Sequence, residues 1–178
     1  MERDLLRRHL QGDGTAFEAL VEQHQSALLR YALRLSGSEE DARDAVQETF
    51  LKLVRHGPEL TAGESWVAWL YRVCRNLCAD RARKEARMQV RHMKVAVPDL
   101  SPREALPLEQ AETSATVDHL LSQLPDQDRE VLLLKVHQGR SYREIAQITG
   151  LSLHKVSVSI HRGLRRMAAD LKHAGLID

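Results

Sequence analysis

The chain has 178 residues, 43% of them hydrophobic but only 4% aromatic, and its 26 Lys and Arg nearly balance its 25 Asp and Glu. This length and apolar content fit one medium or two small folded domains, and they argue against disorder throughout. Helix-forming residues outnumber strand-forming ones, which predicts an all-α protein. No apolar run could span a bilayer, and the first residues lack the apolar stretch of a signal peptide, so we expect a cytoplasmic protein without membrane insertion.

Phe17 and Leu20 begin the first predicted helix, in which apolar residues recur every three to four positions. We place its start at Thr15, because Thr15 and Glu18 have the spacing of a capping box. Gly37 follows the last apolar residue of the pattern and predicts the end of the helix.

Two more helices are predicted before residue 95. One runs from Ser38 to about Arg55, with Val54 among its inward positions, and the other starts at about Glu64 after a Gly-Pro loop. Charge differs sharply between them: residues 38–48 hold five acids and one Arg, whereas residues 72–94 hold eight Lys or Arg and two acids. Such blocks predict one surface for a basic partner and another for a polyanion, although two solvated helix faces would look the same.

The character of the sequence changes at residues 95–116. Three of the chain's five prolines fall there, and no apolar period is sustained. We therefore predict a flexible linker that joins a domain of residues 1–94 to a domain of residues 117–175.

The second domain has the sequence form of a helix-turn-helix. Ser141 and Glu144 match a capping box that opens a short helix, Gly150 predicts a tight turn, and a last helix begins at Leu153, with Leu164 in its apolar stripe. A helical hairpin with a solvated basic face is the alternative. The outward positions predicted on the last helix are His154, Lys155, Ser157, Val158, Ser159, His161, Arg162, Arg165 and Arg166.

Three runs of residues carry a resemblance to a known family: DARDAVQETFLKLVRH from Asp41, WLYRVCRNLCADRAR from Trp69, and LPDQDREVL from Leu124 followed by YREIAQITGLS from Tyr142. In this order they resemble the extracytoplasmic-function (ECF) class of the bacterial sigma-70 family. The resemblance implies a non-enzymatic factor that binds core RNA polymerase and directs initiation at promoters by recognising minus 10 and minus 35 DNA elements.

The resemblance also implies roles for particular residues. Those expected to bind the polymerase core are Asp44, Gln47, Glu48, Phe50 and Leu51. Those expected to recognise and melt the minus 10 element are Arg72, Arg75, Asn76, Asp80 and Arg83, with the loop from His56 to Ser65 holding a flipped base. Those expected at the minus 35 element are Ser141, Tyr142, Ser152, His154, Lys155, Ser157, Val158, Ser159, Arg162, Arg165 and Arg166. An anti-sigma factor is a further partner implied by the family.

Some positions depart from the family pattern. The family often has basic residues near Ser157 and Ser159, which suggests weaker or different groove contacts here. Gly163 and Leu164 stand where an Ala-Arg pair is expected, and a glycine within a helix costs up to about 1 kcal/mol.

Two other functions fit parts of the sequence. A stand-alone helix-turn-helix regulator would bind DNA as a dimer, but no spare apolar stripe is available for dimerisation, so we expect a monomer when free. A sigma-mimicking interaction protein would keep the acidic face and lose DNA binding.

No catalytic residues, cofactor or metal site are predicted. The sequence lacks nucleotide-binding, nucleophile-elbow and zinc-protease motifs. Cys74 and Cys78 are too few for a disulfide framework or a zinc site, and we expect both to pack in the core.

Overall fold

The computed structural model describes residues 2–56, 65–89, 117 and 119–173. All regular elements within these ranges are helices, which confirms the predicted fold class. The chain divides into two compact units, Met1–Leu100 and Ser101–Asp178, which are described separately. The predicted linker lies outside the described residues. Within the described ranges, no helix combines the length and the apolar content that crossing a bilayer requires.

The described residues of the first unit form four helices: α1 (Glu2–Leu10), α2 (Gly14–Ser36), α3 (Glu39–His56) and α4 (Trp66–Gln89). The sequence did not predict α1, which packs against α2. Helices α2, α3 and α4 contact one another pairwise, so the three predicted helices enclose one core.

The start of α2 differs from the prediction. The N-cap is Asp13 rather than Thr15: its carboxylate accepts hydrogen bonds from the backbone N–H groups of Thr15 and Ala16 at 3.0 and 3.2 Å. The Asp13 backbone is extended, as an N-cap requires, and its carboxylate also accepts the Thr15 hydroxyl. Gly37 ends the helix with φ of 68°, as predicted.

The core of the first unit is built from large apolar side chains of its three long helices. Tyr31 of α2 and Tyr71 of α4 are both buried, with ring centroids 5.1 Å apart. The prediction that Val54 faces inward is wrong, because 46% of it is exposed. It lies in the last turn of α3, and its side chain is open to solvent.

The second unit contains α5 (Asp126–Leu132), a π-helical turn (Leu133–His137), α6 (Tyr142–Thr149) and α7 (Leu153–His173). Residues 119–122 are also helical. The π-helical turn continues α5 without a break, and its wider winding is seen in the 3.2 Å hydrogen bond from the Gln138 N–H to the Leu133 carbonyl. The four consecutive residues 131–134 are all buried.

Helix α7 packs on α5 through a glycine. Gly163 is buried, and a Cβ added to it would lie 2.6 Å from Leu132 Cδ1. The sequence suggested only a helix-propensity cost for this glycine, whereas the structure shows that its missing side chain allows close contact with α5. The predicted core position Leu164 is 47% exposed, because the buried side of α7 runs through Gly163 instead.

Candidate functional site

The outer side of α3 carries most of the residues predicted to bind the polymerase core. Asp44, Gln47 and Leu51 are exposed and Glu48 is half-buried. Phe50 lies beneath this surface rather than on it: only 6% of it is exposed, and its ring packs edge-on against Phe17 of α2 with centroids 6.4 Å apart. A large aromatic side chain stabilises the fold more when it is buried than when it is exposed. The expectation that Phe50 is exposed for contact with the polymerase is therefore corrected.

A groove of about 670 Å³ lies beside this surface, between α2 and α3. Sequence reasoning did not predict it, because Val54 was taken as a core residue. Its exposed apolar residues, Leu51 and Val54, lie three positions apart on α3 and extend the acidic side of that helix. The lining residues are Phe17, Val21, Gln25, Leu29, Arg43, Val46, Gln47, Phe50, Leu51 and Val54.

An ion-pair cluster links the acidic helix to the basic one. Arg81 Nη1 of α4 lies 3.2 Å from Asp44 Oδ2 and 3.5 Å from Asp41 Oδ1, and it also donates to the Asp41 backbone carbonyl at 3.2 Å. The sequence counted Arg81 only as part of the basic segment. The structure places it against the acidic block, where it neutralises part of the charge.

The residues predicted for the minus 10 element follow one another along one side of α4. Arg72 and Arg75 are half-buried, while Asn76, Asp80 and Arg83 are exposed. Arg83 Nη2 pairs with Asp80 Oδ1 at 2.6 Å. Residues at i, i+3 and i+4 share a helix face, so this arrangement presents a polar surface about three turns long. Residues 57–64 of the loop from His56 to Ser65, predicted to hold a flipped base, lie outside the described residues.

The helix-turn-helix has the local geometry that the sequence predicted. The Ser141 hydroxyl accepts from the Glu144 backbone N–H at 3.2 Å, and the Ser141 N–H donates to the Glu144 carboxylate at 2.9 Å. Burial raises the pKa of the Glu144 carboxyl, but hydrogen bonds from Ser141 and the charge of Arg140 lower it by more. Gly150 ends α6 with φ of 75°, which makes the turn into α7.

The structure exposes most of the residues predicted for the minus 35 element. Tyr142 lies beneath an ammonium group, with Lys135 Nζ 5.4 Å from its ring centroid. Ser157 is half-buried, and the remaining exposed members are Ser141, Tyr142, Ser152, His154, Lys155, Val158, Arg162, Arg165 and Arg166.

Ser159 is the exception, and its predicted outward position is wrong. It is 1% exposed, and its hydroxyl accepts a hydrogen bond of 3.1 Å from Gln127 Nε2. Ser159 therefore lies in the contact between α5 and α7, where it cannot reach DNA. Its partner lies 32 residues earlier in the chain, so no local pattern could have shown the contact.

Arg162 is exposed but forms an ion pair with Asp128, a residue that sequence reasoning did not identify. Its Nε and Nη2 atoms donate to Asp128 Oδ2 and Oδ1 at 2.5 and 2.6 Å. The Asp128 side chain is 1% exposed and that of Arg162 is 57% exposed. The Arg162 hydrogen bonds lower the pKa of the Asp128 carboxyl against the opposing effect of burial, and the same pairing raises the pKa of Arg162.

The two cysteines lie in the core, as expected. Both are buried and neither forms a disulfide. The hydrogen bond with Cys78, and then burial, raise the pKa of the Cys74 thiol. A thiol held in this way is a weak nucleophile. In the part of the chain that the structure describes, no three His, Cys, Asp or Glu side chains cluster as metal ligands would.

Comparison with known proteins places this geometry in a family. Residues 20–88 match sigma-70 region 2 and residues 114–167 match sigma-70 region 4. The ECF RNA polymerase sigma factor SigL of Mycobacterium tuberculosis is 31% identical over 173 residues, covering 92% of this chain and 93% of SigL. The chain belongs to the ECF sigma factors. This confirms the predicted family and, with it, the prediction of a non-enzymatic factor that binds RNA polymerase and recognises promoters.

Other relatives of this sigma factor agree. SigM of Mycobacterium tuberculosis, also an ECF RNA polymerase sigma factor, is 30% identical over 94% of this chain and 83% of its own length. SigE of Mycolicibacterium smegmatis is 31% identical, but the chain spans only 60% of that relative. Among solved structures, CnrH in complex with the cytosolic domain of CnrY is 28% identical, with a TM-score of 0.70 over 97% of both chains.

A further solved structure supports the fold alone. The sigma factor RpoE of Bartonella quintana, in complex with the anti-sigma factor NepR, is 24% identical, with a TM-score of 0.73 over 88% of this chain and 96% of that one.

Proposed function

We propose that this sigma factor uses its two units for separate tasks during initiation. The first unit binds core polymerase through α3 and contacts the minus 10 element through α4, while the second unit reads the minus 35 element through α7. One observation supports this division of tasks. The first unit has acidic residues on the outer side of α3 and basic residues on α4, whereas the second unit has exposed basic residues on α7 of a capped helix-turn-helix. The chemistry of RNA synthesis belongs to the polymerase.

The proposed core-binding surface has acidic residues next to exposed apolar residues. Asp44 and Glu48 supply carboxylates for a basic partner helix, and Leu51 and Val54 open into the groove between α2 and α3. A partner helix with basic residues along one edge and apolar residues along the next would satisfy both features. Phe50 then supports the groove from beneath, since it lines the groove while staying almost fully buried.

The proposed minus 10 surface is the polar side of α4. Arg72, Arg75 and Arg83 supply positive charge for the phosphate backbone, and Asn76 offers an amide that can pair with a base edge. Asp80 holds Arg83 in place through their ion pair. The boundaries predicted from sequence, residues 1–94, 95–116 and 117–175, remain our proposal for the division into binding domain, linker and helix-turn-helix.

We further propose that this sigma factor is cytoplasmic and that an anti-sigma factor binds it when it is not bound to polymerase. Polymerase and promoters are in the cytoplasm, and the similar protein CnrH has been solved with the cytosolic domain of CnrY bound. An anti-sigma factor would have to cover the same acidic and apolar surface that the polymerase uses. In the absence of either partner we expect a monomer.

Run-off transcription with purified core polymerase tests the proposal. Genomic promoter fragments are transcribed with core alone, with core plus this sigma factor, and with core plus the Asp44→Lys, Glu48→Lys variant. We expect new start sites only with the unaltered factor. Glu22→Lys, a charge reversal at an exposed position of α2, is the matched control and should transcribe normally.

Two results would count against the proposal in different ways. Binding to core without any new start site would favour a sigma-mimicking protein. Specific DNA binding that does not require core, with no effect of the Asp44 and Glu48 changes, would favour a stand-alone regulator.

A further inference from the structure

Two arginines three residues apart on α7 have different surroundings. Arg162 is held by Asp128 through two charge-assisted hydrogen bonds. Arg165 is exposed, and none of the described residues forms an ion pair or hydrogen bond with it. In sequence the two look alike, as successive basic residues of a recognition helix, but only Arg165 is available to a phosphate without breaking an existing contact.

Loss of this ion pair would destabilise the Asp128 carboxylate more than the Arg162 guanidinium. The carboxylate is 1% exposed, whereas 57% of the arginine side chain remains in contact with solvent. A buried carboxylate that loses its cation is strongly unfavourable, because burial removes the water that would otherwise solvate the charge. Movement of Arg162 toward DNA would therefore leave Asp128 buried without its cation.

The ion pair belongs to a row of contacts that fixes how α7 lies on α5. Gln127 donates to Ser159, Asp128 accepts from Arg162, and Leu132 packs against the backbone at Gly163. Positions 159, 162 and 163 are spaced i, i+3 and i+4, so they lie along one side of the helix. Three contacts along this side determine the rotation of α7 about its own axis.

That rotation decides which residues face away from the core. Val156 and Ile160 are buried, and the side of α7 opposite to them carries four exposed residues, here called the α7 stripe: His154, Val158, His161 and Arg165. Their side chains suit a major groove. Imidazole N–H can donate to purine acceptors, a valine methyl can contact a thymine methyl, and a guanidinium can bind guanine or phosphate.

We propose that Asp128 is a positioning residue, which holds Arg162 against α5 and thereby presents the α7 stripe, rather than Arg162, to the minus 35 element. This inference rests on the proposed role of α7 in promoter recognition. It adds His161 to the residues that read DNA and removes Arg162 from them.

The first measurement compares three variants of the full-length factor: Arg162→Met, the double variant Asp128→Leu, Arg162→Met, and Arg165→Met as the matched control. Thermal unfolding is followed by circular dichroism. Arg162→Met leaves the Asp128 carboxylate buried and should lower the melting temperature of the second unit by on the order of 5 °C. The double variant replaces the whole pair by apolar side chains and should recover most of that loss. Arg165→Met should change the melting temperature little.

DNA binding supplies the second readout. The unaltered holoenzyme first selects promoter fragments from a pool randomised at the minus 35 element. The affinity of each variant holoenzyme for the selected fragments is then measured at several salt concentrations. Each phosphate neutralised contributes about 0.9 to the slope of log affinity against log salt concentration. Arg165→Met should reduce the slope by about that amount, and the double variant should keep the slope of the unaltered factor. His161→Ala should weaken the base preference at one position of the selected element.

A reduced slope in the double variant, equal to that of Arg165→Met, would overturn the inference, because Arg162 would then contact a phosphate. An unchanged melting temperature in Arg162→Met would overturn it as well. If the unaltered holoenzyme recovers no common element, the proposed function of α7 fails and the assignment of the α7 stripe fails with it. The melting temperatures still decide whether Asp128 holds Arg162.

Discussion

Substitution of Gly163 by alanine tests how closely α7 packs on α5. An added Cβ would lie 2.6 Å from Leu132 Cδ1, 3.3 Å from Leu132 Cγ and 3.5 Å from Leu124 Cδ1. Leu132 is fully buried, so it has little room to move away. Alanine is favoured over glycine within a helix by about 0.8–1.0 kcal/mol, whereas an extra methyl group in a packed core costs about 1–3 kcal/mol. We expect Gly163→Ala to destabilise the second unit by about 1 kcal/mol.

The same substitution should have the opposite effect once the neighbouring side chain is shortened. Leu132→Ala is expected to cost about 2–5 kcal/mol by itself. In that background the methyl group at position 163 meets no obstacle from Leu132, so the helix preference for alanine remains and Gly163→Ala should stabilise the unit by about 1 kcal/mol.

Urea unfolding of the four proteins in this cycle measures the effect. Circular dichroism follows the helices of both units, while fluorescence from Trp66 and Trp69, the chain's two tryptophans, follows the first unit. A change confined to the second unit should appear in the circular dichroism and leave the fluorescence transition unchanged. If Gly163→Ala stabilises the protein equally in both backgrounds, close packing at this glycine is refuted.

Three other measurements bear on the ion pairs and the helix cap. Arg81→Gln should lower the free energy of unfolding of the first unit by no more than about 1 kcal/mol in urea, because its partners Asp41 and Asp44 are partly solvated; a larger loss would contradict this. Ser141→Ala removes the cap of α6 and should destabilise the second unit by about 1 kcal/mol, with Ser141→Thr as the control that keeps the capping hydroxyl. The folded state lowers the pKa of Asp128, so the second unit's stability should be complete above the ordinary carboxyl range and decline below about pH 4. Acid titration of Asp128→Asn should lack this component of the decline, and an identical titration would exclude it.

Features that depend on neighbouring residues in the chain could be predicted from the sequence. Gly37 and Gly150 end their helices in the left-handed region, and Ser141 forms its capping box, because all the atoms involved lie within a few residues. Even here the predicted cap was two residues away from the observed one, because the Asp13 carboxylate accepts from the first backbone N–H groups of α2. Helix α1 was missed because its nine residues are too few to establish an apolar period.

Features that depend on distant residues could not be predicted in the same way. Ser159 and Arg162 occupy positions that look outward in a helical pattern, yet their partners lie 32 and 34 residues earlier in the chain. Leu164 and Val54 illustrate the converse, since an apolar residue is buried only where another element covers it. The family resemblance predicted which helices carry the binding surfaces, and contacts between helices decided which of the named residues are exposed.

The π-helical turn at Leu133–His137 has a consequence for insertions and deletions in this part of the chain. A π turn winds one residue more per hydrogen-bonded ring than an α turn does. Removal of a single residue, such as Lys135, could be absorbed by conversion of the turn to ordinary α-helix, with the buried run at residues 131–134 kept in place. The backbone leading to α6 would then leave at a different angle, so a one-residue deletion would preserve the core and shift α6 relative to α7, which its own contacts hold on α5. A change in chain length at this point would therefore alter the angle within the helix-turn-helix without any substitution in α7.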